Sequence, residues 1–176
     1  MDGTLAWLAT LTTLAVLVAY EVVLAVAQRR RPDRLARSAH ALLREDWFTA
    51  VSQQKGSEIL AVQTLRNALM SATMTASTAV LGLIGTVTLA APSLHASFDE
   101  AAAMPGITPR LVLELLLLAW LFASLVCSAM AVRYYSHAGF IGGMPVESDA
   151  RKRWAQAGVT YVRRAGAFYS WGLRQR

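Results

Sequence analysis

Residues 111–132 read LVLELLLLAWLFASLVCSAMAV, an apolar stretch with one carboxylate, Glu114, near its start. About 20 predominantly apolar residues are enough for a helix to cross a bilayer. Residues 5–27 and 60–91 form two further apolar stretches of sufficient length. Backbone polar groups in lipid must be paired within their own segment. All three stretches are therefore predicted to be transmembrane helices, and Pro109 suits the first turn of the third.

The composition supports a membrane protein and argues against other classes. Hydrophobic residues make up 55% of the 176 residues and charged residues 16%, below the roughly 25% typical of soluble domains. The net charge of +6 does not indicate nucleic-acid binding. The basic residues flank the apolar stretches, where anionic lipids of the bilayer attract them. The length suits one membrane domain, residues 1–176.

Lys and Arg are distributed unevenly between the segments that connect the three stretches. They are frequent in residues 28–59 and from residue 133 onward, whereas the loop 92–110 carries only Arg110. The positive-inside rule then predicts that the N-terminus and this loop lie outside. Residues 28–59 and the chain from residue 133 onward are predicted to be cytoplasmic. We expect a multi-pass protein of the cell inner (plasma) membrane.

The first basic segment is predicted to contain an amphipathic helix over about residues 33–54. Its apolar residues, Leu42, Leu43 and Trp47 among them, recur at three- and four-residue steps, and Gly56 suits its end. Such a helix either lies in the membrane interface or packs on the protein's own cytoplasmic face. The sequence leaves both arrangements open.

The basic tail is predicted to form a second amphipathic helix over about residues 149–172, which Ser148 or Asp149 can cap. One face of that helix carries Trp154, Gly158, Tyr161, Ala165 and Phe168. The apolar part, residues 165–173, is too short to span a bilayer. It either ends in the interface or leads into a fourth span that this chain does not include. The predicted fold is an all-α integral membrane protein, a small bundle of three transmembrane helices with amphipathic cytoplasmic interfacial helices.

Polar residues near the cytoplasmic ends of the spans form the predicted functional cluster. Its members are Glu21, Gln63, Arg66, Asn67, Arg133 and His137. A charge within hydrocarbon costs about 2.5–3.5 kcal/mol or more unless it is paired or reaches the interface. Glu21 and Arg66 are therefore predicted to form an ion pair. The cluster is either an ion- or proton-linked site facing the cytoplasm or a structural clamp that fixes the helix register.

Small residues recur at four-residue spacing on the second and third spans. The predicted helix-packing face consists of Ala68, Ala72 and Ala76 with Ala123 and Cys127. Small side chains at this spacing let helix backbones approach closely. This face serves either packing within the bundle or docking of another membrane protein.

Several short runs resemble a membrane family catalogued as domain of unknown function 599. The runs are LAVQTLRNALM (residues 60–70) and RYYSHAGF (residues 133–140). The single positions Arg44, Trp47, Thr73, Ala76 and Ser77 resemble the family as well. The resemblance covers nearly the whole chain and implies a multi-span helical membrane protein with no established biochemical activity. The family's pattern continues past residue 174 into a fourth span. We therefore expect this chain to be part of a longer one rather than a short member.

The sequence contains no recognisable catalytic, cofactor or metal signature. His40, His95 and His137 lack the spacing of metal ligands, and Cys127 stands alone. The pair Gly142-Gly143 precedes Met144 and Pro145 and is typical of a turn rather than of a phosphate loop. We expect no enzyme activity, no cofactor and no metal.

Two function classes agree with these features. The first is a small structural or accessory membrane protein that packs against itself or a larger membrane complex, with other membrane subunits as partners. Its support is the small-residue helix faces and the little mass outside the membrane. The alternative is a solute or ion transporter or channel subunit that uses the polar cluster. The first is the preferred hypothesis.

Overall fold

The computed structural model of this chain describes residues 3–30, 36–98 and 108–174. Over these residues the chain is helical, apart from short turns. The helices in chain order are α1 (Gly3–Arg30), α2 (Ala36–Gln53), α3 (Glu58–Phe98), α4 (Pro109–Gly142) and α5 (Asp149–Arg174). The predicted start of the second helix near Asp33 lies outside the described residues.

Three of the helices are long and apolar enough to cross a membrane. The segments concerned are Thr4–Ala27 of α1, Glu58–His95 of α3 and Pro109–Gly142 of α4. α3 and α4 extend beyond the predicted stretches, because α3 continues through Pro92 and α4 runs on past Val132. The described residues therefore form an all-helical architecture with three candidate membrane-spanning helices.

The residues at the helix ends are the capping and turn residues that the sequence predicts. Pro109 stands in the first turn of α4, and the Thr108 hydroxyl accepts a hydrogen bond from the Leu111 N–H at 3.1 Å. Gly56 adopts a φ of +87° after the end of α2, in the left-handed region that glycine occupies without a steric penalty. The Ser148 hydroxyl caps α5 by accepting the N–H of Arg151 at 3.2 Å.

α3 and α4 form an antiparallel hairpin with the most extensive contact between described helices. A Cβ built on Gly142 would lie 3.6 Å from the Cβ of Ala61, and one built on Gly82 would lie 3.2 Å from a Leu121 methyl. These two contacts fix the register. α3 buries a row of alanines, which we call the alanine seam: Ala61, Ala72, Ala79 and Ala90, each no more than 2% exposed.

α5 runs back along α4 in the opposite direction. Near the start of α5, a Cβ on Gly158 would lie 3.2 Å from an Ile141 methyl. In its last turn the carbonyl of Gly172 accepts a hydrogen bond from the Ser124 hydroxyl at 2.9 Å. The two contacts are separated by about 21 Å along α5 and about 26 Å along α4 at 1.5 Å per residue, so the helix axes run nearly antiparallel.

The helix predicted over residues 149–172 is present as α5, and it packs lengthwise on α4. Phe168 of this helix packs on α4: its ring stacks on Tyr134 with centroids 5.7 Å apart. A helix in the membrane plane could not follow α4 over this length if α4 crosses the bilayer. α5 is a further member of the bundle.

α2 packs on the outside of α4 and α5 through Phe48. The Phe48 side chain is completely buried, and its ring faces Gly142 of α4 and Gly158 of α5. Leu42 and Leu43, which the sequence places on the apolar stripe, are instead 59% and 63% exposed. Of the two arrangements left open by the sequence, the structure has the helix packed on its own chain.

The buried core lies at one end of the hairpin. We call this the basic end, formed by residues 58–66 of α3 and 133–142 of α4, with α2 and the first half of α5 packed on it. The core side chains are Phe48, Leu65, Ala72, Ala131, Tyr135, Ala138, Ile141, Val162 and Ala165. α1 contributes nothing to this cluster, and its large apolar side chains are mostly exposed.

Candidate functional site

The predicted polar cluster is spread over three helices. Glu21 is half-buried on α1, whose main packing is against α4. The remaining members are exposed, with Gln63, Arg66 and Asn67 on α3 and Arg133 and His137 on α4. The register in which Ala61 faces Gly142 brings Arg66 and His137 to the same level of the hairpin. The structure thus gathers the members of α3 and α4 at one level, on its surface.

The predicted ion pair between Glu21 and Arg66 is not among the salt bridges of the described residues. Arg66 is exposed on α3, and Glu21 lies half-buried on α1, which packs on α4. The His137 ring lies 5.7 Å from the ring of Tyr161, tilted by 41°. His137 therefore contributes to the packing of α5 on α4.

The predicted helix-packing face is used inside the bundle. Ala72 is completely buried in the core that also contains Ala131 of α4. Ala68 packs against the same core, and Ala76 and Ala123 are half-buried. On α4, the Cβ of Cys127 lies 3.6 Å from the position that a Cβ on Gly172 would occupy. These side chains bring α3, α4 and α5 together.

Sequence reasoning missed Arg151, which is the most deeply buried charged side chain of the described chain, only 2% exposed. Its Nη2 donates a hydrogen bond to the Ser52 hydroxyl at 3.1 Å, and its guanidinium carbon lies 5.8 Å from the centre of the Phe48 ring. Nε and Nη1 have no hydrogen-bond partner in the described part of the chain. Burial lowers the pKa of Arg151, and the carboxylate of Glu58 opposes that effect.

A signal for this burial exists in the sequence. Arg151 stands about two helical turns before Gly158, in phase with the buried Val162 and Ala165. A cation in phase with the apolar face of a helix is a candidate for burial. The charge alone gives no such indication, because the neighbouring Lys152 carries the same charge and is exposed.

Arg151 lines a cavity of about 490 Å³ between α2 and α5. The cavity walls carry hydroxyl, amide and cationic side chains, and no carboxylate. The lining residues are Thr49, Ser52, Gln53, Val146, Arg151, Lys152, Ala155, Gln156 and Val159. Such a wall can donate hydrogen bonds from several directions to an oxygen-rich anion.

A second cavity, of about 320 Å³, lies between α2 and the hairpin and is almost entirely apolar. Its walls come from Leu43, Arg44, Trp47, Thr64, Leu65, Ala68, Tyr135 and Val162. The Arg44 guanidinium packs on Gly166 of α5, where a Cβ would collide with it. Arg44 thereby closes one side of this cavity and ties α2 to α5.

The described residues contain no group of three His, Cys, Asp or Glu side chains that could hold a metal ion. A family model described as "Protein of unknown function, DUF599" matches residues 8–175. The chain belongs to the DUF599 family. A search of curated proteins and a search of solved structures each gave no significant match.

The DUF599 match includes nearly all of the described helices and both cavities. The predicted cluster on α3 and α4 and the buried Arg151 on α5 all fall within it. Membership in DUF599 assigns neither an activity nor a ligand to these residues. Any assignment therefore rests on the exposure, packing and chemistry of this chain's own residues.

Proposed function

We propose that this DUF599 member is an integral membrane protein whose role is structural or accessory, associating with itself or with a larger membrane complex. α1, α3 and α4 are its transmembrane spans. The observation that carries the proposal is the exposure of α1. A helix that is apolar on all sides and barely covered by its own chain requires lipid or another protein around it.

The side chains of α1 separate two faces of that helix. Thr10 is buried and Leu14 half-buried on the face turned to the chain. Val16 and Val23, on the opposite face, are 63% and 64% exposed. The outward face is available for a partner helix. In a membrane such a contact relies on close packing, because lipid tails are as apolar as the side chains.

The orientation belongs to the same proposal. Arg66 and Arg133 are exposed on α3 and α4, and an exposed cation is strongly disfavoured within hydrocarbon. These two arginines support a membrane boundary at the level of Arg66 and Arg133. The basic end, α2 and most of α5 then lie on the cytoplasmic side of the cell inner membrane. The N-terminus then lies outside, as the positive-inside rule requires.

The transporter alternative has less support. Arg66, Asn67 and His137 are exposed side chains on the outside of the hairpin, whereas a transport site needs polar groups that converge on a cavity at membrane depth. The cavity lined by Ser52, Gln156 and Arg151 instead lies between α2 and α5. We therefore retain the accessory role.

The test is photo-crosslinking in native membranes. A photo-reactive phenylalanine derivative is placed at Val16, on the outward face of α1, and in a matched variant at Leu14, on the face turned to α4. The proposal predicts a discrete crosslink to another protein chain from Val16. From Leu14 it predicts only crosslinks within the same chain. A product of twice the chain's mass indicates self-association, and a heavier one a larger complex. Labelling of lipid alone at Val16 contradicts the accessory role.

A further inference from the structure

We propose that the cavity between α2 and α5 binds a small phosphate-bearing anion, with Arg151 as its principal contact. Within the described chain, the guanidinium makes one hydrogen bond, from Nη2 to Ser52, and leaves Nε and Nη1 without a partner. A buried cation with unsatisfied donors is strongly unfavourable unless a counter-charge accompanies it. An anion in the adjoining cavity supplies the counter-charge.

The charges around the cavity favour this occupant. Among the lining residues, Arg151 and Lys152 are cationic and none is acidic. Glu58 influences Arg151 electrostatically, but no ion pair joins the two described side chains, and a Glu58 carboxylate oxygen accepts the Val146 N–H at 3.4 Å. The guanidinium charge is thus only partly compensated by the protein.

The other nearby carboxylates are engaged elsewhere. Glu147 forms an exposed salt bridge to Lys55 at 2.9 Å. Asp149 lies 3.9 Å from the Lys152 ammonium, a loose and exposed pair that leaves the lysine able to reach an anion. The Ser52 hydroxyl and the amides of Gln53 and Gln156 also line the cavity and can donate hydrogen bonds, whereas the Thr49 hydroxyl already donates to the Glu45 carbonyl.

Arginine is a favoured partner of phosphate groups, and a volume of about 490 Å³ accommodates a small phosphate ester within the usual size range of ligand cavities. The phosphate can be carried by a soluble molecule or by a lipid headgroup. Position favours the soluble source. Val146, which lines the cavity, follows the end of α4 at Gly142, and Gly142 is about 14 Å beyond Arg133 along α4 at 1.5 Å per residue.

The experiment uses the full chain in detergent micelles. Its thermal unfolding is followed with inorganic phosphate and with chloride at equal ionic strength, and the affinity for inorganic phosphate is measured by calorimetry. We compare Arg151→Met with Arg153→Met, which removes an equal charge from an exposed position on the same helix. Phosphate is expected to stabilise the wild type and Arg153→Met. For Arg151→Met, binding should weaken by about tenfold or more, because hydrogen bonds to a charged partner are lost.

A second variant covers the case in which Arg151→Met fails to fold. Ser52→Asp places a carboxylate where the Ser52 hydroxyl meets Nη2 of Arg151. It is expected to raise the unfolding temperature in phosphate-free buffer and to abolish the response to phosphate. Lower stability of Ser52→Asp with an unchanged phosphate response would overturn the proposal.

A parallel arm distinguishes the two sources of phosphate. The same variants are measured in micelles doped with phosphatidic acid or with phosphatidylcholine. An Arg151-dependent stabilisation by phosphatidic acid, without an effect of inorganic phosphate, assigns the headgroup. The reverse result assigns a soluble ligand. The site does not exist if neither source stabilises the wild type, or if Arg151→Met and Arg153→Met respond equally.

Discussion

The Ser124 hydroxyl donates a hydrogen bond to the carbonyl oxygen of Gly172 across 2.9 Å. Carbonyls in the last turn of a helix have no partner within the helix, and this one is satisfied by α4. Because Ser124 falls inside the predicted third span, the contact brings the last turn of α5 to the depth of the membrane if α4 crosses it.

This hydrogen bond predicts different effects for two buried serines on α4. Ser124→Ala should lower the free energy of unfolding by about 1 kcal/mol, because it leaves the Gly172 carbonyl without its partner. Ser128 is the matched control, since it is completely buried and its hydroxyl has no partner among the described residues. Ser128→Ala should be neutral or stabilising. Denaturant unfolding in detergent measures both, and equal destabilisation would contradict the assigned contact.

Glycine at position 158 is predicted to be essential for the packing of α2. A Cβ there would lie 2.6 Å from a ring carbon of the completely buried Phe48, so Gly158→Ala should destabilise by about 1–3 kcal/mol through overpacking. At Gly139, on α4, a Cβ meets nothing within 4 Å. Gly139→Ala should stabilise by up to about 1 kcal/mol, as expected in a helix interior. A harmless Gly158→Ala would mean that α2 does not pack here.

Glu21 and Arg66 are predicted to act independently. The salt bridges among the described residues do not include this pair. The effects of Glu21→Ala and Arg66→Ala on the free energy of unfolding should therefore add within about 0.5 kcal/mol in the double variant. A double-mutant cycle in detergent checks this. Recovery of stability in the double variant would indicate that Glu21 and Arg66 do form the ion pair that the sequence predicts.

The proposed orientation predicts the behaviour of a reporter that is active only in the cytoplasm. Fused at Lys55 or after Arg176, it should be active. Inserted near Asp99, in the loop that carries a single basic residue, it should be silent. Activity at Asp99 and silence at Lys55 would reverse the orientation while leaving the fold intact.

Local backbone chemistry accounts for what the sequence predicted well. Pro109 and Ser148 fit the starts of α4 and α5, and Gly56 fits the turn after α2, because each has a property that few other residues share. The long apolar stretches predicted three long helices for the same reason: their length and polarity are visible without knowing any contact.

The direction of α5 and the burial of Arg151 could not be predicted in the same way. Phe168 packs on Tyr134, yet an aromatic side chain suits a lipid interface equally well, so composition does not separate the two. Arg151 is in phase with the buried face of its own helix, but its burial also depends on Phe48 and Ser52 of another helix. Phe48 itself was missed, since Leu42 and Leu43 defined the apolar stripe.

The alanine seam limits how the molecule can move. Its side chains have no rotamers to exchange, and between them the hydroxyls of Thr75 and Thr86 donate to the backbone carbonyls of Ser71 and Gly82, which restricts their own rotation. Packed helices slide past one another by repacking flexible side chains, and the alanines of this seam offer none. α3 and α4 should therefore move as one stiff rod, leaving any rearrangement to the joints where α1 and α5 meet it.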